Sequence, residues 1–409
     1  MDYLQQLLKD QTVEWKKLGE VAELVRGNGL AKKDFAPEGV PAIHYGQIYT
    51  YYGNETQNTI SFVTAETASR LRKVYSGNVV ITNTSENLED VCKALLYSGK
   101  AEAVTGGHAT IVRCSDKLLP KFFVYYTNTR FFFDKKRKLA KGTKVIDVSA
   151  NDLARIEIPL PPLSVQSRIV EILDKFTALE AELEAELELR KKQYQHYREQ
   201  LLNFSSTPPH EFNVIWRKLG EVFHTRNGYT PSKNNPEYWE GGTIPWYRME
   251  DIRVSGRILN DALQHITPKG VKRNGLFKTN SIILATTATI GEHAMLTTDA
   301  LCNQQFTNFT INENFKELLL PKFAFYYFYV IDDWCKKNVN VGNFPSVDVD
   351  KLKKVDFPLP PLSVQSRIVE ILDKFDALTN SITEGLPLEI KLRKQQYEYY
   401  REQLLDFRN

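Results

Sequence analysis

Cysteine is scarce and scattered: Cys92, Cys114, Cys302 and Cys335 are the four in 409 residues, with no C-x-x-C pair and no histidines at metal-ligand spacing. That pattern argues against a disulfide scaffold or a zinc module and reads as reduced thiols in a cytoplasmic protein. Long apolar runs are missing too. No segment offers about eighteen uninterrupted apolar residues, and Met1-Asp2-Tyr3-Leu4-Gln5-Gln6 has neither a basic start nor an apolar stretch. The expectation is therefore a chain with no membrane span and no secretion signal. An excess of one charge sign is also absent: 53 basic against 50 acidic residues leave a formal charge of +3. Any affinity for nucleic acid must come from local patches. With 21 glycines, 18 prolines, 42% hydrophobic and 11% aromatic residues, the chain is neither disordered nor collagen-like. Its length exceeds one ordinary domain.

Signatures of catalysis are equally sparse. There is no phosphate-binding G-x-x-x-x-G-K-[ST] loop, and Gly27-Asn28-Gly29 lacks the third glycine and the preceding strand of a dinucleotide site. Neither H-E-x-x-H nor H-x-E with C-x-x-C occurs, which argues against zinc hydrolases and deaminases. Asn235-Pro236-Glu237-Tyr238 lacks the second proline of an amino-methyltransferase signature, and Glu389-Ile390-Lys391 has nuclease-like spacing without a partner acid. His44, His108, His196, His210, His224, His265 and His293 form no cluster in sequence. A self-contained enzyme is not the expected reading.

What the chain does have is itself, twice. PLPPLSVQSRIVEILDKF spans Pro159 to Phe176 and returns letter for letter at Pro358 to Phe375, 199 positions later. Trp15 to Val21 is echoed by Trp216 to Val222, and Leu119-Pro120-Lys121-Phe122 by Leu320-Pro321-Lys322-Phe323, both at 201. RKKQYQHYREQLLNF from Arg190 answers RKQQYEYYREQLLDF from Arg393 at 203, and Tyr3 to Leu8 resembles Tyr197 to Leu202, which lends the repeat a cyclic character. By contrast, Arg26 to Asp116 and Arg226 to Lys316 share only scattered residues. A frame that pairs with its own duplicate stays constant, while two modules with different ligands are free to differ.

The constant part reads as helix. After Pro161-Pro162, with Ser164 expected as N-cap, apolar residues recur at Val165, Ile169, Ile172, Phe176, Leu179, Leu183, Leu187, Tyr194, Tyr197, Leu201 and Phe204. Steps of four and three make a coiled-coil seam over roughly 60 Å at 1.5 Å per residue. The second copy repeats the seam from Val364 to Phe407, with four extra residues around Gly385-Leu386-Pro387 where a break is expected. Each helix could pack on its own globular unit alone; the preferred expectation is an intramolecular antiparallel pair with pseudo-twofold symmetry. Val79 to Thr82, Ala109 to Val112 and Ser281 to Ala285 read as strands, and Leu119 to Asn128 and Leu320 to Val330 as aromatic helices. The class is mixed α/β, with two globular domains joined by two long antiparallel coiled-coil helices. The expected boundaries are an N-terminal segment 1–11, a first globular domain 12–162, a central helix 163–206, a second globular domain 207–361 and a C-terminal helix 362–409.

Reading a duplex needs polar side chains at groove edges and cations on phosphates. In the first domain, Lys135-Lys136-Arg137-Lys138 with Lys141-Gly142-Thr143-Lys144 puts six cations in ten residues, a candidate phosphate clamp. His44, Tyr45, Gln47, Tyr49 and Tyr52 form one polar-aromatic loop, Asn83, Thr84 and Ser85 another, and Gly106-Gly107-His108 would let backbone approach closely. In the second domain, Tyr247, Arg248, Glu250, Asp251 and Arg253 stand where the His44 loop does. Thr286 and Thr287 answer Asn83, Gln304 and Gln305 answer His108, and Asn340 to Asn343 answers the Lys141 to Lys144 turn.

Two diverged units, each followed by P-L-P-P-L-x-x-Q-x-x-I-V-x-I-L-D-K-F and ending in Q-Y-x-x-Y-R-x-Q-L-L-x-F, resemble the DNA-specificity subunits of type I restriction–modification systems over essentially the whole chain. Ala181-Glu182-Leu183-Glu184 and Ala185-Glu186-Leu187-Glu188 resemble the branch with tetrapeptide repeats in its central helix. The resemblance implies a non-catalytic subunit with two target-recognition domains, each reading half of a split DNA site. It also implies two methyltransferase subunits using S-adenosylmethionine and two restriction subunits using ATP and Mg, with no cofactor on this chain. Helix length would then set the unread spacer. The competing expectation is a two-headed protein-interaction adaptor with a coiled-coil spacer.

Overall fold

A computed structural model describes residues 3–9, 11–204, 213–340, 345–381 and 383–408. The chain divides into two units, Met1–Glu182 with Lys391–Asn409, and Leu183–Ile390. The sequence repeat and the structural unit therefore do not coincide. Each unit takes one globular copy, the first turns of the helix that follows it, and the tail of the other copy's helix.

In the first unit, a five-stranded sheet runs Ala22–Arg26, Ala109–Cys114, Val79–Thr82, Ala94–Tyr97, Glu55–Thr56, and a second runs Phe35–Ala36, Ser61–Val63, Val40–Ile43, Ala103–Thr105, Arg72–Val74. The strand residues of Val79–Thr82 and Ala94–Tyr97 are all buried, the mark of strands covered on both faces. Helix Pro120–Thr127 lies in the core, with Phe122, Phe123, Tyr125 and Tyr126 essentially solvent-free. Proline suits its first turn, where the missing N–H would have no helical partner anyway. The second unit matches it with a five-stranded sheet, Phe223–Asn227, Phe306–Ile311, Ile282–Ala285, His293–Leu296, Ile258–Leu259, and a three-stranded one, His265–Ile266, Ile244–Tyr247, Leu301–Cys302. Its aromatic helix, Pro321–Lys337, is longer than the sequence pattern suggested because Ile331, Asp332 and Cys335 continue the buried stripe past Val330. In both units a two-stranded ribbon closes the globular part with the same register, Trp15 opposite Pro159 and Trp216 opposite Pro358.

The helix Leu163–Leu202 is continuous over 40 residues, about 60 Å. Its N-cap is not Ser164. Pro162 takes that place, its carbonyl accepting from the N–H groups of Val165 and Gln166, because proline's φ is already compatible with the turn into the helix. The second copy breaks as its extra residues suggested, into Leu362–Asn380 and Gly385–Leu404.

The repeated motif is a joint. Gln166, fully buried, accepts from the Leu119 N–H at 2.9 Å and donates to the carbonyls of Lys117 and Pro161, both at 2.9 Å. Gln365 does the same with Leu320, Leu318 and Pro360. One side chain thus ties the start of the long helix to the start of the aromatic helix. A second tie lies about two turns beyond: Asp174 accepts from the Tyr125 hydroxyl and pairs with Lys121, as Asp373 does with Tyr326 and Lys322. Replacing Gln166 by Ala leaves an amide and two carbonyls without partners, at about 1–3 kcal/mol for each buried group. Because two of the three bonds are only part-buried, the loss should lie toward the low end, about 3–5 kcal/mol, read as a lowered denaturation midpoint of the first unit, with Gln365→Ala doing likewise to the second.

Packing alone and pairing both occur. Val165, Ile169 and Leu173 join the first unit's globular core. Farther along, Phe176 stacks on Tyr400 at 5.4 Å and 26°, and Glu180 meets Lys394 at 3.3 Å. Rising numbers on one helix meet falling numbers on the other, so this pair is antiparallel. In the second unit Phe375 stacks on Tyr197 at 5.4 Å and 28°. Leu404, Leu405 and Phe407 lie in the first core, and Leu202 and Phe204 in the second. Phe122–Phe407 and Phe323–Phe204 are the corresponding ring contacts. Glu182, Glu184 and Glu188 are exposed, as an acidic run on a solvated or partner-facing side should be.

Candidate nucleic-acid interface

The candidate residues of the first unit gather at one end of its sheets. The segment His44 to Gly53, read from sequence as a loop, contains a helix, Tyr45–Thr50. His44 is its N-cap: its Nδ1 accepts from the Gly46 N–H at 3.2 Å, while Gln47 Oε1 accepts from the His44 N–H. Tyr45 packs its ring 4.8 Å from that of His108 and 4.5 Å from that of His44. His108 is exposed, and its Nδ1 lies 2.9 Å from the Thr84 hydroxyl. Two histidines remote in sequence are thereby neighbours. Tyr49 is half-buried, its hydroxyl bonded to Ser85, and burial raises its pKa first of all.

Several other candidates hold the frame. Asn83 is fully buried; its amide donates to the Val148 carbonyl at 2.7 Å and its oxygen accepts from the Thr110 hydroxyl. Thr84 and Ser85 are buried in a strand that pairs with Ile146–Asp147. Tyr52 is half-buried and its hydroxyl accepts from the Ile60 N–H. Lys136 departs from the cation run: it is buried and donates to the carbonyls of Glu89 and Val91, and burial pulls its pKa down to about 8. The six-cation clamp is therefore smaller than its sequence suggests. Lys141, Thr143 and Lys144 do reach solvent. Lys141 and Asp147 exchange backbone hydrogen bonds across a tight hairpin, and Gly142, with φ of 100°, has a Cβ position only 2.1 Å from the Val145 carbonyl oxygen. Only glycine fits that turn.

The His44 cap gives this end a pH dependence. Burial, then Lys32, then His108 hold the His44 pKa below its ordinary 6.5. Neutral Nδ1 is the cap acceptor, so protonation removes it. The cap's contribution, about 1 kcal/mol, is present above pH 6.5 and is lost as pH falls through the lower folded-state value. Acid titration of the first unit's stability should show that loss. His44→Asn, which caps without titrating, should flatten it.

In the second unit the corresponding segment is again strand, cap and helix. Ile244–Tyr247 leads to Arg248, whose N–H donates to Asp251 in the helix Met249–Ser255. Asp251 is buried and also accepts from the Leu263 N–H; Tyr247 is buried, and its pKa is raised by that burial. Both therefore serve the fold. Arg248 pairs with the exposed Glu250, and Arg253 makes a two-bond pair with Glu292. Thr286 is buried against the Thr307 hydroxyl, while Thr287 bridges to Ser346. Gln304 is exposed and accepts from the Thr230 hydroxyl at 2.6 Å; Gln305 accepts from the Asn303 amide. Asn340 is exposed in a strand pair with Ser346. Asn343 lies outside the described residues.

The two interfaces share backbone and differ in side chains. The Asn83 N–H donates to the His108 carbonyl and the Val148 N–H to the Asn83 carbonyl; the Thr286 N–H donates to the Gln305 carbonyl and the Val347 N–H to the Thr286 carbonyl. The loops after Ala22–Arg26 and Phe223–Asn227 approach equally closely: a Cβ on Gly27 would lie 2.2 Å from the Gly106 carbonyl oxygen, and one on Gly228 2.2 Å from that of Asn303. Exposed cations on neighbouring loops were missed in sequence: Lys32 and Lys33 beside His44, Arg70 and Arg72, and Lys272 with Arg273. The first pair was legible as a basic doublet after Gly27-Asn28-Gly29. Among the described residues no group of three His, Cys, Asp or Glu could hold a metal, and no helix is long and apolar enough to cross a membrane. The four thiols carry no disulfide, and burial pushes those of Cys92, Cys114 and Cys335 up to about 12.

Comparison with known proteins bears on this doubled arrangement. Residues 11–189 and 213–392 each match the family described as Type I restriction modification DNA specificity domain. The chain is 36% identical to the Type I restriction enzyme EcoR124I/EcoR124II specificity subunit of Escherichia coli, over all of this chain and 97% of that one. It is 48% identical to the Escherichia coli EcoprrI specificity subunit over 48% of this chain, a match that spans half the length of that relative. Two solved structures share the fold: a chain from a study of complex assembly and conformational transition of the type I R-M system, with TM-score 0.64, 18% identity and coverage of 97% and 98%, and the type I S subunit of M. genitalium, with TM-score 0.55, 14% identity and full coverage of both chains. Matched in both halves and along its whole length, the chain belongs to the Type I restriction modification DNA specificity domain family.

Proposed function

We propose that this chain is the DNA-specificity subunit of a type I restriction–modification complex, with each globular unit reading one half of a bipartite duplex site. The observation that carries the reading is equal backbone at Asn83 and Thr286, and at His108 and Gln305, with unequal side chains where that backbone reaches solvent, the exposed His108 in one unit and the exposed Gln304 beside Gln305 in the other. A shared scaffold with different groups at its tips suits two half-sites of different sequence, since direct readout depends on which donors and acceptors meet the base edges. Among the exposed or half-exposed candidates, Tyr49, His108, Lys141, Thr143 and Lys144 in the first unit and Arg248, Gln304 and Asn340 in the second bear the reading.

The chain itself is non-catalytic in this account. Adenine methylation with S-adenosylmethionine belongs to two methyltransferase subunits docked on the frame, and ATP- and Mg-dependent cleavage to two restriction subunits. The helix starts that the buried joints at Gln166 and Gln365 fix are identical in sequence from Pro159 to Phe176 and from Pro358 to Phe375, which suits two copies of one partner. The repeats Ala181–Glu184 and Ala185–Glu188 lie in the stretch of helix whose length enters the spacer. Duplex binding by the chain assembled with its methyltransferase partner tests the proposal. Sequence-dependent, salt-sensitive binding is the expected result. A complex that binds all duplexes alike, or none, favours the adaptor instead.

A further inference from the structure

In each unit the residue that follows the close-approach glycine, Gly27 or Gly228, reaches across and grips a basic segment. In the first unit the Asn28 amide donates to the Arg70 carbonyl at 2.7 Å. In the second, the Tyr229 hydroxyl accepts from the Lys272 N–H at 2.8 Å and donates to the Gly270 carbonyl. The grip is reinforced there: the Arg226 guanidinium donates to the carbonyls of Asn274 and Gly275, and its plane lies 4.3 Å from the Phe277 ring. Asn28 and Tyr229 occupy matching positions at the offset of 201, so a different side chain performs the same clamp.

The clamp holds cations beside the recognition loops. Arg70 and Arg72 are exposed, and Arg72 lies opposite Thr105, next to the Gly106-Gly107-His108 turn. Lys272 and Arg273 are exposed, and Lys272 lies over the Tyr229 ring at 4.3 Å, one residue from Thr230, which bonds Gln304. None of the four has an ion-pair partner among the described residues; the Arg70 guanidinium meets the Thr67 hydroxyl. From Pro268 to Asn280 the sequence carries Lys269, Lys272, Arg273 and Lys278 and no acid. Fixed backbone bearing free cations next to an exposed candidate reader is the arrangement for contacting phosphates, which position a protein on a duplex without reading sequence.

We propose that Arg70 with Arg72 and Lys272 with Arg273 are paired phosphate anchors, one per unit, that seat each unit on the DNA backbone while the neighbouring loops read bases. The proposal rests on the specificity-subunit reading. It is tested with the full chain assembled with its methyltransferase subunits, carrying Arg70→Ala/Arg72→Ala or Lys272→Ala/Arg273→Ala. Each double variant should lower the slope of log affinity against log salt by about 1.8, at ~0.9 per phosphate, and weaken binding roughly 10- to 100-fold on cognate and scrambled duplexes alike. The methylated sequence should not change. Arg70→Lys/Arg72→Lys and Arg273→Lys, which keep the charge, should restore the slope and so separate a lost contact from misfolding. An unchanged slope overturns the anchors, as does a changed base preference in one half-site. A wild-type complex with no salt-dependent duplex binding would instead overturn the specificity-subunit reading itself.

Discussion

Residues 1–204 alone should form a homodimer. In the full chain the first unit's core includes Leu404, Leu405 and Phe407, all nearly solvent-free, and these come from the far end of the second copy. A chain ending at Phe204 lacks them, at about 1.5–3 kcal/mol for each large apolar side chain left without its burial. The total rivals the whole stability of a typical domain. The same chain nevertheless carries the equivalents, Leu201, Leu202 and Phe204, which in the full protein belong to the second unit's core and its edge. A second copy can supply them, and Phe176 would find Tyr197 in the geometry that Phe375 and Tyr197 already show. Sedimentation equilibrium should give twice the chain mass. Phe204→Ala, at about 3–5 kcal/mol for a buried phenylalanine, should dissociate the dimer and unfold it together. With its methyltransferase partner, the dimer should methylate a site made of the first half-site twice. A stable, fully folded monomer would show that the exchanged tails are ornaments on self-sufficient units.

Shortening the central helix should shorten the preferred site. Deleting Ala181–Glu184 removes four residues, about 6 Å of helix at 1.5 Å each, and rotates the C-terminal remainder of the helix by about 40° beyond one full turn. The seam residues Phe176 and Tyr194 therefore keep nearly the same facing. At about 3.4 Å per base pair, the spacer between half-sites should shrink by one or two base pairs, with the original site losing most of its methylation. The measurement is sequencing of methylated adenines in DNA modified by the variant complex. An unchanged spacer in a still-active complex would remove helix length as the ruler.

The frame was legible because it is written twice: an identical string of eighteen residues and a four-three rhythm leave little freedom for a helix and its joint. The exchange of tails was visible only as a cyclic echo, since burial of Phe407 against Phe122 is a contact 285 positions apart. The recognition ends were harder to read for a related reason. Asn83 and Thr286 look like loop-tip readers, yet each is held by partners far along the chain, Val148 and Thr307. Lys136 looks like a phosphate contact until the carbonyls of Glu89 and Val91 close over it. His44 and Asp251 sit in segments whose glycine and polar content suggest loops; as capping residues they instead start short helices. Arg70 and Lys272 went unnoticed because nothing local distinguishes them from ordinary surface cations; the clamps from Asn28 and Tyr229 do.

Two unlike readers on one doubled frame should recognise a single duplex at two separate places. Mapping methylated adenines in DNA modified by the assembled complex tests it most directly, for the wild type beside His108→Ala and Gln304→Ala. The expected result is a bipartite, asymmetric site with a constant unread spacer, with His108→Ala relaxing bases in one half and Gln304→Ala relaxing bases only in the other. A continuous site, or either substitution altering both halves, would contradict it.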